Sequence, residues 1–241
     1  MSNSQKQYPK LFWDTANLNE LEDGLKLGIM SGITTNPVII AQEPMPTLSP
    51  KVDYVNHVKK MAELCKKYGQ EVPISIMVTE TDPEKMFEQA KEFVQQINYN
   101  NLNIKVPIGW GEVGIIKKLE DAGIKVNVTV GMNEAQVAMA ASTNPAYFSI
   151  FCGHIKELGG DPFAVIRNSR KLLEGNKTEI IVGSIKTPKD VVDCFLAGAH
   201  IVTAPPSIFK IMAGHLETTR TINFFLELYS KWHENNKRFL K

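Results

Sequence analysis

Two segments, Asn101-Leu102-Asn103-Ile104-Lys105-Val106-Pro107 and Lys125-Val126-Asn127-Val128-Thr129-Val130, flank the amphipathic run Glu112–Ala122 and read with it as strand, helix, strand. In the first segment Leu102, Ile104 and Val106 alternate on one face, leaving Asn103 and Lys105 on the other. In the second, Val126, Val128 and Val130 take one face and Asn127 and Thr129 the opposite one. Valine rows suit a face covered by helices, which turns Lys105, Asn127 and Thr129 towards an interior. An ammonium held in an interior costs free energy unless it is paired or its pKa falls. A lysine with a lowered pKa is a nucleophile towards carbonyls. A single lysine in a short apolar run also reads as an edge or snorkelling residue, so the surrounding pattern has to decide.

The same unit recurs in both directions along the chain. Leu11–Asp14, Gly32–Asn36, Val72–Val78, Ala146–Cys152, Glu179–Ile185 and Ile201–Ala204 read as further strands. Helical runs separate them: Asn17–Leu27 ending at Gly28, about Val52–Tyr68 stopping at Gly69, Asp82–Ile97, Asn133–Ser142, Asp161 to about Glu174, and Thr187–Leu196. Asp82-Pro83, Asp161-Pro162 and Thr187-Pro188 each supply a cap followed by a proline at the first helical position. Ala41–Lys51 is proline-rich and reads as an irregular loop. Strands that alternate with helices in this way predict an α/β chain folded as a closed parallel (β/α)8 barrel, the TIM-barrel architecture, with an additional C-terminal helix. An open doubly wound sheet is the competing solution, but no GxGxxG turn follows the first strand to support it. A single barrel domain is expected over 1–241, with 1–10 a polar N-terminal tail and 215–241 a C-terminal helical extension.

Composition agrees with one large core and narrows the partners. The chain has 241 residues, 43% of them hydrophobic, which suits a single barrel. A net charge of +1 argues against a general nucleic-acid binder, and Lys59-Lys60 and Lys66-Lys67 sit among acidic neighbours on a helical run. Cys65, Cys152 and Cys194 have no metal-ligand spacing and suit reduced thiols in a cytoplasmic protein. The polar start and the lack of a long apolar run predict no leader and no membrane span. Five scattered histidines give no metal site.

A barrel carries its chemistry at the carboxyl ends of its strands. Polar residues late in the strands are therefore candidates: Asp14, Thr34, Thr35, Asn36, Lys105, Asn127, Thr129, Ser184 and Lys186. Each alone also reads as a cap or a satisfied core polar group. Together, at one end of one barrel, they point to a site.

These residues resemble a known family. Phe12-Trp13-Asp14-Thr15-Ala16-Asn17 and Gly32-Ile33-Thr34-Thr35-Asn36-Pro37 are similar to the opening motifs of the transaldolases, and Ile104-Lys105-Val106-Pro107 to the segment carrying their Schiff-base lysine. Lys125–Thr129, Gly183–Pro188 and Ala197-Gly198-Ala199 resemble the later motifs of the small subfamily, which includes short transaldolases and fructose-6-phosphate aldolases. The likeness runs from about Leu11 to Trp232. It implies that Lys105 forms an iminium with a ketose, that Asp14 is the base for carbon–carbon cleavage, and that Thr129 positions a water. Asn36, Thr35 and Asn127 would hold the bound fragment. No cofactor and no metal are implied. The implied partners are a ketose donor and an aldehyde acceptor bearing phosphate or sulfonate. A homo-oligomer is also implied, because in small transaldolases a similar last helix packs on a neighbouring subunit, and Ile222, Phe225, Leu226, Tyr229 and Trp232 form an apolar stripe here.

Three positions depart from the family pattern. Met77 stands where many relatives carry Glu or Gln, Phe151 where the aldolase branch has a tyrosine, and His154 where a phosphate-binding arginine is expected. Histidine lacks arginine's permanently charged fork, so His154, Ser184 and Lys186 become the expected anion site. A phosphosugar transaldolase is the first expectation. A 6-deoxy-6-sulfofructose transaldolase, a fructose-6-phosphate aldolase and a non-catalytic sugar-phosphate-binding homologue are the alternatives.

Overall fold

The computed structural model describes residues 9–45 and 49–237. Apart from Pro9 and Lys10, the expected N-terminal tail lies outside the described residues, as do 46–48 of the proline-rich loop and the last four residues of the expected C-terminal extension. Strands β1 (Lys10–Asp14), β2 (Met30–Thr34), β3 (Ile74–Met77), β4 (Leu102–Pro107), β5 (Val126–Gly131), β6 (Tyr147–Phe151), β7 (Glu179–Gly183) and β8 (Ile201–Ala204) pair in parallel, in chain order, and β8 closes on β1. The expected (β/α)8 barrel is the fold.

Helices α1 (Leu18–Leu27), α2 (Pro37–Ile40), α3 (Pro50–Lys67), α4 (Pro83–Ile97), α5 (Glu112–Asp121), α6 (Glu134–Ala141), α7 (Cys152–Glu157), α8 (Pro162–Leu172) and α9 (Pro188–Leu196) connect the strands. The cap-and-proline signals act as read. Asp82 accepts from Lys85 N, Asp161 from Phe163 N and Ala164 N, and Thr187 forms a capping box with Asp190. α1 ends on Gly28 at φ 68°, where a residue without Cβ carries no penalty. Three features differ from the sequence reading. Asn36 caps the short helix α2, which lies between the second strand and the proline-rich loop, where the sequence reading places no element. The sixth strand stops at Phe151, and Cys152 opens α7. The seventh stops at Gly183, because Ser184 turns to φ 57° and leaves the strand.

The barrel interior is built in layers of inward side chains. Phe12, Ile181 and Ile201 form an apolar cluster with Tyr147 packed on it, and the Phe12 and Tyr147 rings meet edge to face at 6.2 Å. Burying a ring such as Phe12, 1% exposed, is worth roughly 1.5–3 kcal/mol. The cluster depends on Gly32, since a Cβ there would lie 2.4 Å from the Phe12 ring. Gly32→Ala is therefore expected to destabilise the barrel by about 1–3 kcal/mol, the usual range for overpacking. Urea unfolding followed by circular dichroism measures it, and an unmoved midpoint would mean that the Phe12 ring does not fix the interior.

The chain divides into two compact units, with the boundary between Pro206 and Ser207. The second contains α10 (Pro206–Ala213), apart from its first residue, and α11 (Leu216–Lys237). Within α11 the Tyr229 and Trp232 rings lie 5.8 Å apart on the apolar stripe. Among the described residues no helix is long and apolar enough to cross a membrane.

Candidate active site

Strand alternation sets the site directly above the apolar cluster. Two residues beyond Phe12, Tyr147, Ile181 and Ile201, on the same inward face, stand Asp14, Ser149, Gly183 and Thr203. All four line a cavity of about 540 Å³, together with Thr34, Asn36, Lys105, Phe151, His154 and Ser184. A cavity of this size accommodates a sugar phosphate or a similar small molecule.

Lys105 is 5% exposed, and its Nζ donates to the carbonyl oxygen of Thr35 at 2.9 Å. Burial holds its pKa below the ordinary lysine value, while the charge of Asp14 acts in the opposite sense. Asp14 moves the other way. Burial raises its carboxyl above the usual range, and the Lys105 charge and the Thr34 hydrogen bond restrain that rise. Thr34 Oγ1 donates to Asp14 Oδ1 at 2.8 Å. An amine shifted towards its free base and a carboxyl shifted towards proton uptake, sharing one cavity, suit nucleophilic attack and proton exchange.

Lys105 pairs in register with Met77 on β3 and Asn127 on β5. Met77 is held through its backbone, which both donates to and accepts from the Tyr54 hydroxyl. Asn127 and Thr129 are fully enclosed and do not line the cavity. Asn127 Oδ1 accepts from Ser149 Oγ at 2.7 Å, so its link to the cavity runs through Ser149. Asn127 Nδ2 and Thr129 Oγ1 are buried without a hydrogen-bond partner among the described residues. Thr129 precedes Val130 at φ 64°, a costly conformation for a β-branched residue, where the β5–β6 register shifts. Thr35 contributes its carbonyl, and its side chain does not reach the cavity. Asn36 was expected to hold substrate hydroxyls, but its Oδ1 is taken by Val38 N and Ile39 N because it caps α2. That leaves the amide nitrogen as its available group.

At the other side, His154 Nδ1 and Ser184 Oγ are 2.9 Å apart. The approach needs Gly153, whose N donates to the Ser184 carbonyl and where a Cβ would meet that oxygen at 2.4 Å. The Phe151 and His154 rings lie 5.4 Å apart. Asp190 pins the loop after β7 by accepting from Lys186 N and Thr187 N. Lys186 itself is exposed and does not line the cavity, contrary to its expected place beside Ser184. Its Cε passes within 3.1 Å of the position a Gly153 Cβ would take. Among the described residues lining the cavity, Lys105 and His154 are the basic ones, against the carboxyls of Asp14, Glu20 and Glu43. Glu20 accepts from Thr15 Oγ1, and Glu43 from Asn17 Nδ2.

Thr34 lines the cavity as a polar residue at the end of the second strand, where the sequence points to it, whereas Ser149 and Thr203 are not singled out by the sequence reading. The inward alternation of Ser149 with Tyr147 and of Thr203 with Ile201 is the available signal.

Comparison with known proteins gives concordant results. A sequence profile described as "Transaldolase/Fructose-6-phosphate aldolase" matches residues 11–240. A Bacillus cereus protein named "Probable transaldolase 1" is 32% identical over 93% of this chain and 99% of its own length. A "Probable transaldolase" of Thermoplasma volcanium is 31% identical over 95% and 98%. Among solved structures, thiamine phosphate pyrophosphorylase from Pyrococcus furiosus superposes with a TM-score of 0.57 at 10% identity, covering 81% of this chain and 85% of that one. At that identity the likeness is one of fold.

Proposed function

Because the chain belongs to the transaldolase/fructose-6-phosphate aldolase family, we propose that this enzyme cleaves a ketose with an anionic terminal group through a Schiff base on Lys105 and transfers the dihydroxyacetone unit to an aldehyde acceptor. One observation carries the reading: a buried lysine, shifted towards its free base, opens into the same cavity as a buried carboxyl shifted towards proton uptake. The Lys105 amine adds to the C2 carbonyl, and loss of water gives an iminium. Asp14 takes the C4 hydroxyl proton as the C3–C4 bond breaks. The bonding pair moves into the iminium and leaves an enamine on Lys105. The enamine carbon then attacks the acceptor aldehyde, Asp14 returns the proton to the new alkoxide, and water hydrolyses the regenerated iminium to release the product ketose and the Lys105 amine. Ser149 and the amide nitrogen of Asn36 are the cavity groups placed to hold the fragment's hydroxyls.

The charge in the cavity favours a second reading of the substrate. Among its described lining residues the cavity has three carboxyls, Lys105 and a histidine, and no arginine. A terminal dianion is more strongly opposed by such a wall than a monoanion, which favours a sulfonate sugar. Fructose 6-phosphate, 6-deoxy-6-sulfofructose and fructose, each supplied with and without an aldehyde acceptor, separate these cases by mass spectrometry of the products. Transfer product from either anionic ketose supports the proposal. Cleavage indifferent to acceptor would make the protein an aldolase, and no cleavage of any of the three would overturn the reading. Lys186→Ala is expected to raise KM several-fold for both anionic ketoses and to leave that for fructose within about twofold, as for loss of a peripheral charge. An equal change for all three would remove Lys186 from anion recognition.

A further inference from the structure

Thr34 is 1% exposed and Thr203 is 6% exposed, and both line the cavity. They stand on β2 and β8, on either side of the strand that carries Asp14. Their hydroxyl oxygens are 2.5 Å apart, and Thr34 Oγ1 also lies 2.8 Å from Asp14 Oδ1. A threonine hydroxyl has one proton to give. While Asp14 is ionised it can only accept, so Thr34 gives its proton to Asp14 and must receive one from Thr203. Thr203 is fixed for this task. A Cβ at Gly183 would lie 3.2 Å from the Thr203 methyl, so the neighbouring strand leaves room for that methyl and its hydroxyl turns to Thr34.

On this geometry, and resting on the role proposed for Asp14, we infer that Thr34 and Thr203 are positioning residues for the cleaving base. Two hydroxyls in series hold Asp14 in its proton-accepting orientation and reverse their direction once it has taken the C4 proton. In the reversed arrangement the new Asp14 O–H donates to Thr34 Oγ1, the Thr34 proton swings to Thr203 Oγ1, and the Thr203 proton turns into the cavity. The substrate proton stays on Asp14, and no O–H bond of either threonine breaks. Hydrogen bonds in series reinforce one another in a low-dielectric interior, so the bond to the carboxylate is stronger with Thr203 present than without it. The other titratable groups facing the cavity are Lys105 on β4, Glu20 on α1, His154 on α7 and Glu43 beyond α2.

The test separates Asp14 from Lys105. Single-turnover release of glyceraldehyde 3-phosphate from fructose 6-phosphate is followed as a function of pH, and borohydride quenching at each pH quantifies the imine. Cleavage is expressed per imine formed. The Thr34 bond restrains the rise of the Asp14 pKa, so removing it raises that pKa further and moves the acid limb to higher pH. Thr34→Val should move the limb up by about one to two pH units, that is, about tenfold or more slower cleavage at a pH on the limb. Thr203→Val should move it less in the same direction, and Thr34→Ser, which keeps the hydroxyl, should hold it near the wild-type position. Imine yield at saturating ketose should persist in all three, which also reports that they fold. An unmoved limb in Thr34→Val with its imine intact, or a Thr34→Ser limb displaced as far as that of Thr34→Val, would overturn the relay. Absence of an imine in the wild type with fructose 6-phosphate and with 6-deoxy-6-sulfofructose alike would instead overturn the proposed function, and the relay with it.

Discussion

Lys105→Ala is expected to abolish turnover and imine trapping while leaving the barrel folded. The substitution removes the amine that opens into the cavity, and with it the electron sink that makes C3–C4 cleavage possible. The fold should tolerate the change. The lost hydrogen bond is to the Thr35 carbonyl, and burying an ammonium was itself unfavourable, so the two effects oppose one another. Turnover with fructose 6-phosphate should fall to background, with far-ultraviolet circular dichroism unchanged. Turnover retained above about a hundredth of wild type would mean that Lys105 is not the nucleophile.

Asp14→Asn should separate the two halves of the reaction. The amide keeps the shape of the carboxyl and its position above Phe12 but cannot take up a proton. Iminium formation on Lys105 should persist, while cleavage falls by on the order of 10²-fold or more, as expected on losing a positioned general base. Rapid-quench measurement of imine and of released aldehyde on the same samples gives both rates. Equal loss of the two steps would make Asp14 a structural partner of Lys105 rather than the base.

Period-two alternation is a local property, and it made the barrel and the inward direction of Lys105 legible in the sequence. Cap signals of the Asp-Pro and Thr-Pro kind are local too, and they act where they were read. Ser49-Pro50 is a signal of the same kind, and it starts α3 two residues before the apolar pattern suggests. What local pattern does not give is the height of an inward residue along the barrel axis, which the stagger of neighbouring strands sets. Asn127 and Thr129 face inward as read, yet they are enclosed by the interior rather than lining the cavity, whereas Ser149 and Thr203 reach it. Strand ends fail for a related reason. Ile185 continues the apolar pattern of β7, but Gly153 docks against the Ser184 carbonyl and the chain turns there. Lys186 is displaced from the cavity wall by that turn. The family motifs around Asp14 and Lys105 were legible as a pattern. The Thr203–Thr34–Asp14 series was not, because its members come from three strands and are joined only by closure of β8 on β1.

The central claim is that chemistry passes through an iminium on Lys105. Borohydride reduction of the wild-type protein with fructose 6-phosphate or 6-deoxy-6-sulfofructose, followed by peptide mass spectrometry, tests it most directly. The account predicts a reduced adduct on the peptide containing Lys105, dependent on ketose and on borohydride together. An adduct confined to another lysine, or none with any cleaved ketose, would contradict it.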